Sequence, residues 1–137
     1  MLNKIDHVAI AVHDLDAAIA HYRQMYGAEP SHRETIADQQ VEEALIPVGE
    51  SLVQLLMPTS PESTVARFLE RNGEGLHHVG YEVADLVGAL AHVKGQGARL
   101  IDEAPRHGSR SALIAFVHPK STLGTLVELV QEGSAQV

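Results

Sequence analysis

A chain of 137 residues suits one compact domain or two small fused modules, and a hydrophobic content of 45% supplies an ordinary globular core. Ten Lys and Arg against eighteen Asp and Glu leave a formal charge of −8, which makes phosphate backbones and anionic membranes poor partners while leaving room for a local basic patch that binds an anionic substrate. There is no cysteine, so disulfides, thiol catalysis and cysteine metal sites are excluded, while nine histidines are a rich supply of the commonest metal ligand.

The opening MLNKIDHVAIAV is too short and too interrupted for a signal peptide, and no apolar run reaches a membrane span, so a cytoplasmic location is expected. Val8, Ile10 and Val12 alternate with His7, Ala9 and Ala11, the period of a strand. Asp14 suits the N-cap of a helix whose apolar positions are Leu15, Ala18, Ile19 and Tyr22, and Gly27 suits its stop. Residues 40–57, QVEEALIPVGESLVQLLM, predict two strands around Gly49-Glu50. Residues 60–73 predict a linker helix, with Ser60 as cap, Pro61 in the first helical position and Asn72-Gly73 at the end. Val79, Tyr81 and Val83 then alternate as a further strand. Asp85 caps a helix with Leu86, Ala89, Leu90 and Val93 as its stripe, ending before Gly95 and Gly97. SALIAFV at 111–117 and TLVELVQ at 125–131 predict the closing strands.

Residues 7–22, HVAIAVHDLDAAIAHY, repeat as residues 78–93, HVGYEVADLVGALAHV, with an offset of 71 and eight of sixteen positions identical. The economical explanation is a duplicated βαβββ module. Module one runs from about 3 to 58, the linker helix from about 60 to 73 and module two from about 74 to 132, all within a single domain.

Four segments, in order and at these spacings, carry a family resemblance: DHVAIAVHDLDAA, VGESLVQLLMPTSPESTVARFL, GEGLHHVGYEVADL and FVHPKSTLGTLVELVQ. Over nearly its whole length the chain resembles the vicinal oxygen chelate superfamily, and within it the methylmalonyl-CoA epimerase family. The resemblance implies an α+β fold, with two tandem βαβββ modules forming a curved, partly open barrel-like sheet around a metal site. It implies a divalent ion held by His7, Gln54, His78 and Glu128.

Part of this stands on the residues alone. His7 opens the first strand of module one and His78 the matching strand of module two. Gln54 lies in the last strand of module one and Glu128 in that of module two, at separations of 47 and 50 residues from their histidines. A polar side chain inside a buried strand needs a partner, because leaving it unpaired costs roughly 1–3 kcal/mol. Two imidazoles, an amide oxygen and a carboxylate suit a hard-to-borderline divalent ion. Taken singly, each histidine is as well explained by a structural hydrogen bond. His77 competes with His78, but only His78 keeps the His-Val-x-x-x-Val register of His7. His13, His21, His32 and His92 are expected on the surface or in packing roles.

Hairpin geometry chooses between Glu42 and Glu43. With Gly49-Glu50 as a two-residue type II′ loop, Val48 pairs with Ser51, Leu45 faces Gln54 and Glu43 faces Leu56. Opposed residues share a face, so Glu43 lies on the Gln54 side and Glu42 points away. The resemblance agrees, because the epimerases place a catalytic glutamate in the matching strand. The same alternation puts Ala9, Ala11 and Gly80 on that face, where small side chains leave room for a substrate, together with Glu82.

The activity implied is inversion at C2 of a methylmalonyl-CoA-like thioester through a metal-stabilised enolate, with Glu43 and Glu128 as the acid–base pair. The implied ion is Co2+ in the first instance, with Mn2+, Ni2+ or Zn2+ as alternatives. An acyl-CoA substrate and a homodimer are expected, and neither nucleic acid nor membrane. Arg106, His107, Arg110 and Lys120 are candidates to hold the CoA phosphates, or are solvated loop charges. Two other readings are a glyoxalase I-type lyase or isomerase acting on a glutathione hemithioacetal, and a metal-free binding module. A ring-cleaving dioxygenase wants two histidines and one carboxylate, where Gln54 would intrude.

Overall fold

Strand β1 (Leu2–Ala11) opens the chain in the computed structural model, which describes residues 1–133. The elements that follow are α1 (Leu15–Tyr26), β2 (His32–Ile36), β3 (Val41–Val48), β4 (Ser51–Pro58), α2 (Thr64–Asn72), β5 (Gly75–Val83), α3 (Leu86–Gly95), the two-residue β6 (Arg106–His107), β7 (Leu113–Val117) and β8 (Val127–Gln131). They fall into two compact units, one made of residues 7–77 and the other of residues 1–6 with the chain from His78 onward.

In the first unit the strand order is β2-β3-β4-β1. β1 runs parallel to β4, and β3 is antiparallel to β2 and β4. The β3–β4 register is the one that the two-residue loop requires: Val48 pairs with Ser51, Leu45 with Gln54 and Glu43 with Leu56. Gly49 supplies the left-handed φ of 60° that the first turn position needs, and Glu50 is not among the residues of positive φ. Behind the sheet, Leu15 and Ile19 of α1 pack on Val12, Ala44, Ile46 and Leu55. Asp14 caps α1 by accepting from the Ala17 N–H at 3.1 Å, and Gly27 ends it at φ 62°. On the front, Val65 and Leu69 of α2 pack with Ala9, Ala11, Ile36, Val41 and Leu56.

Helix α2 departs from the sequence expectation at its start. Ser63, not Ser60, is its N-cap and accepts from the Val65 N–H at 3.1 Å; Pro61 lies in the turn that precedes it. Capping needs a side chain that is itself fixed, and Ser63 is buried at 2% exposure whereas Ser60 caps only the turn, accepting from the Glu62 N–H. The end is as expected, with Gly73 in the C-cap position.

The second unit repeats the plan, in the order β5-β8-β7-β6. β5 is parallel to β8, and β7 is antiparallel to β8 and β6. Asp85 caps α3 through the Gly88 N–H at 3.1 Å. Leu86, Ala89 and Leu90 of α3 pack on Val83, Ala115, Val117, Val127 and Leu129. The front is lined by Ala112, Ile114, Phe116 and Val130. The duplication therefore survives as register: Ala9, two residues after His7, pairs with Gln54, and Gly80, two residues after His78, pairs with Glu128.

Candidate active site

Among the described residues seven polar or charged side chains are buried: Asp6, His7, Glu43, Gln54, Ser63, His78 and Glu128. Ser63 is a helix cap. The five residues His7, Glu43, Gln54, His78 and Glu128 are the ones singled out from sequence, and alternation places each on the front face of its own unit.

On the first unit's front face, Glu43 is fully buried and its Oε1 accepts from Gln54 Nε2 at 2.5 Å. That leaves Gln54 Oε1 buried without a hydrogen-bond partner. A buried carbonyl oxygen in that state costs roughly 1–3 kcal/mol, and a cation is a partner that would satisfy it. The other oxygen of Glu43, Oε2, lies 3.7 Å from His32 Nε2, which is itself 2.7 Å from Glu34 Oε1. Glu42 points the other way. It accepts from Arg33 Nε at 2.8 Å, and hydrogen bonds to Glu42 and then Asp16 hold the Arg33 guanidinium above its ordinary pKa.

On the second unit's front face, His78 Nε2 lies 3.7 Å from Glu128 Oε1. The edge of Phe116, which is opposite Glu128 in the β7–β8 ladder, meets the His78 ring at a centroid distance of 5.2 Å. Arg106 lies over the far part of this stack, 5.6 Å from the Phe116 centroid, and pairs with Asp102 at 3.3 Å. His77 is turned to the opposite side of β5 and packs edge-on against Phe68 at 5.0 Å.

The remaining residues noted from sequence take the following places. Ala9 and Ala11 are fully buried, in one apolar cluster with Val65 and Leu69 of α2. Glu82 keeps the face that alternation gives it, since Gly80 pairs with Glu128 and Glu82 with Val130, and there it is held by Lys4 at 3.7 Å and Asn3 at 3.4 Å. The basic residues near the end of the chain are not equivalent: Arg106 is tied to Asp102, and Arg110 to Asp6 at 2.6 Å and Glu132 at 3.1 Å. Lys120 is exposed, beside His118, whose pKa is lowered by desolvation and then by the charges of Arg99 and Lys120.

Sequence reasoning missed two features. Asp6 is a buried carboxylate paired with Arg110 across 104 residues, and no local pattern announces a contact at that range. His32 and Glu34 belong with Glu43 because β2 pairs with β3 in the register Glu34 opposite Glu43. The alternation of His32, Glu34 and Ile36 was the available signal.

Chemically, the first unit's front face offers the His7 imidazole and an amide oxygen that lacks a partner, and the second unit's offers the His78 imidazole and the Glu128 carboxylate, donor types that suit a divalent ion of intermediate hardness. Glu43 adds a carboxylate that is enclosed and already oriented by an amide.

Residues 6–116 match the model of the Glyoxalase/Bleomycin resistance protein/Dioxygenase superfamily. The chain is 40% identical over 133 residues to an ethylmalonyl-CoA/methylmalonyl-CoA epimerase of Cereibacter sphaeroides, covering 96% of this chain and 99% of that protein. A solved methylmalonyl-CoA epimerase in complex with methylmalonyl-CoA and NH4+ superposes with a TM-score of 0.95 at 40% identity, covering 98% of each chain. A Streptomyces coelicolor methylmalonyl-CoA epimerase variant in complex with 2-nitronate-propionyl-CoA gives the same score and identity over 98% of this chain and 97% of that one.

Proposed function

The chain belongs to the glyoxalase/bleomycin resistance protein/dioxygenase superfamily, and from that premise we propose that it is an isomerase that interconverts the C2 epimers of methylmalonyl-CoA. The observation that carries the reading is Glu43: a fully buried carboxylate, held by Gln54 at 2.5 Å.

The C2 proton lies between a thioester and a carboxylate and is only weakly acidic. Removing it needs a base placed at one face of C2, and inversion needs an acid at the other. Glu43 takes the first role. The Gln54 amide holds one of its oxygens and so fixes the orientation of the carboxylate. Glu128 takes the second role. His78 at 3.7 Å and the Phe116 ring confine it. Running the reaction backwards exchanges the two roles. Properly placed acid–base groups contribute about 10²–10⁴-fold.

His7, Gln54, His78 and Glu128 are the proposed ligands of a divalent ion, with Co2+ first and Mn2+, Ni2+ or Zn2+ as alternatives. The unpartnered Gln54 oxygen and the donor chemistry support this set. A bound ion supplies Lewis acidity that stabilises negative charge developing on the substrate's oxygens. The protein is proposed to act as one domain of 137 residues, in the cytoplasm, as a homodimer.

The test is proton exchange at C2 and net inversion of methylmalonyl-CoA in deuterated water. The comparison arm is the glutathione hemithioacetal of methylglyoxal. Isomerisation of the latter without action on the former makes the protein a glyoxalase I-type enzyme instead.

A further inference from the structure

We propose that His32, backed by Glu34, is the proton relay that resets Glu43 between turnovers. The inference rests on the epimerase reading and adds a step to it. A two-base inversion leaves the protein changed: the group that took the proton is protonated, and the group that gave one is not. Another turnover in the same direction needs the first proton lost and the second regained. For a group open to water this costs nothing in design. Glu43 has 0% exposure.

The geometry points to His32. The two oxygens of Glu43 face different neighbours: Oε1 accepts from Gln54 Nε2 at 2.5 Å, and Oε2 lies 3.7 Å from His32 Nε2. The His32 side chain is 36% exposed and the Glu34 side chain 33%. So His32 stands between an enclosed carboxyl and the surface. The same Nε2 is 2.7 Å from Glu34 Oε1, so one ring nitrogen lies between the two carboxylates. The register explains why they meet. Glu34 is directly opposite Glu43 in the β2–β3 ladder, and His32, opposite Leu45, is the diagonal neighbour on the same face. β2 is the outer strand of its unit, so this face reaches solvent at its edge.

The step balances. His32 Nε2 first gives the proton it shares with Glu34 to Glu34 Oε1, which passes it to water; the O–H bond of the Glu43 carboxyl then breaks as a new N–H bond forms at the vacated His32 Nε2. Glu128 regains its proton from water, and nothing is oxidised or reduced. A gap of 3.7 Å is longer than a hydrogen bond. It closes with a movement of about 1 Å, within reach of a half-exposed ring on an outer strand. His32 does not touch substrate in this scheme; it acts through Glu43.

Resetting occurs after product has left. It therefore enters kcat and not kcat/KM, and this separates a relay from a structural part. The experiment is His32→Gln in the intact protein, assayed for net inversion of methylmalonyl-CoA at low buffer concentration and then with added imidazole. The expected result is a fall in kcat of about 10-fold or more, at the lower end for a lost acid–base group, with kcat/KM within about two-fold of the parent. Added imidazole restores kcat in the variant and leaves the parent unchanged. Glu34→Gln gives a smaller fall of the same kind. An equal fall in kcat and kcat/KM with no response to imidazole overturns the relay and makes His32 a structural residue. An unchanged kcat overturns it as well. Failure of the unmodified protein to invert methylmalonyl-CoA is a different outcome, because it removes the epimerase reading itself.

Discussion

At the scale of single residues, two neighbouring glutamates make a sharp contrast. Glu43→Gln removes a base and keeps the shape, so net inversion should fall by about 10²-fold or more while the protein's metal content after dialysis stays the same. Glu42→Gln touches only a partly exposed pair with Arg33 and should be nearly silent in the same assay. Loss of inversion by Glu42→Gln alone would contradict the observed register of β3 as the basis of catalysis. A second contrast separates His78 from His77. His78→Ala should strip or strongly weaken metal binding in the folded protein. His77→Ala should lose its edge contact with Phe68 and keep the metal; metal retained by the first but lost by the second would refute the proposed ligands. Asp6 has a different task. It is 2% exposed and pairs with Arg110, while Arg110 and Ser111 both take left-handed φ, 58° and 57°. Such a backbone persists only when held, and this ion pair holds it. Arg110→Ala should cost about 3 kcal/mol, the lower end for breaking a buried pair, seen as a reduced urea midpoint with unchanged m.

At the scale of elements, caps and turns decide what the side chains can reach. Ser63→Ala removes the cap of α2 and should lower stability by about 1 kcal/mol, measurable by thermal unfolding. Gly49→Ala forces a side chain into φ 60° and should cost about 1–2 kcal/mol, with little change in the site if the pairing survives. These elements also show what was legible in the sequence. The β3–β4 register followed from one glycine and a loop of two residues, because the strand period then fixes every face. The buried positions of His7, Gln54, His78 and Glu128 followed from a repeat that carries two polar residues per copy. Both signals are local or periodic. The start of α2 was misplaced because Ser60 and Ser63 are equally good caps in isolation, and only packing chooses between them. The His32–Glu34 pair and the Asp6–Arg110 pair were not legible, since each depends on which strand or loop comes to lie beside another.

At the scale of the whole chain, the two copies reach one arrangement by unequal routes. Leu45, opposite Gln54, is 38 residues from His7, and Phe116, opposite Glu128, is 38 residues from His78. The three extra residues of the second copy therefore all lie in its last connection. Nine residues, 118–126, join the pair Val117 and Val127, whereas six, 47–52, join the matching pair Ile46 and Val53. The longer connection holds a 3-10 turn at Pro119–Ser121 and, at Leu123, the most exposed large apolar residue of the described chain.

That inequality has a consequence for how this protein can change over time. In the first copy, length is coupled to chemistry: one residue added beside Gly49 threatens to slip β3 and turn Glu43 to the wrong face. In the second copy the coupling is absent, because Val117 and Val127 set the ladder whatever the chain does between them. Deleting Thr122–Gly124 should thus leave the unfolding temperature within a few degrees and the metal content intact, whereas an insertion at 49–50 should abolish inversion. Insertions and deletions can accumulate at one end of the duplicated gene and not at the other.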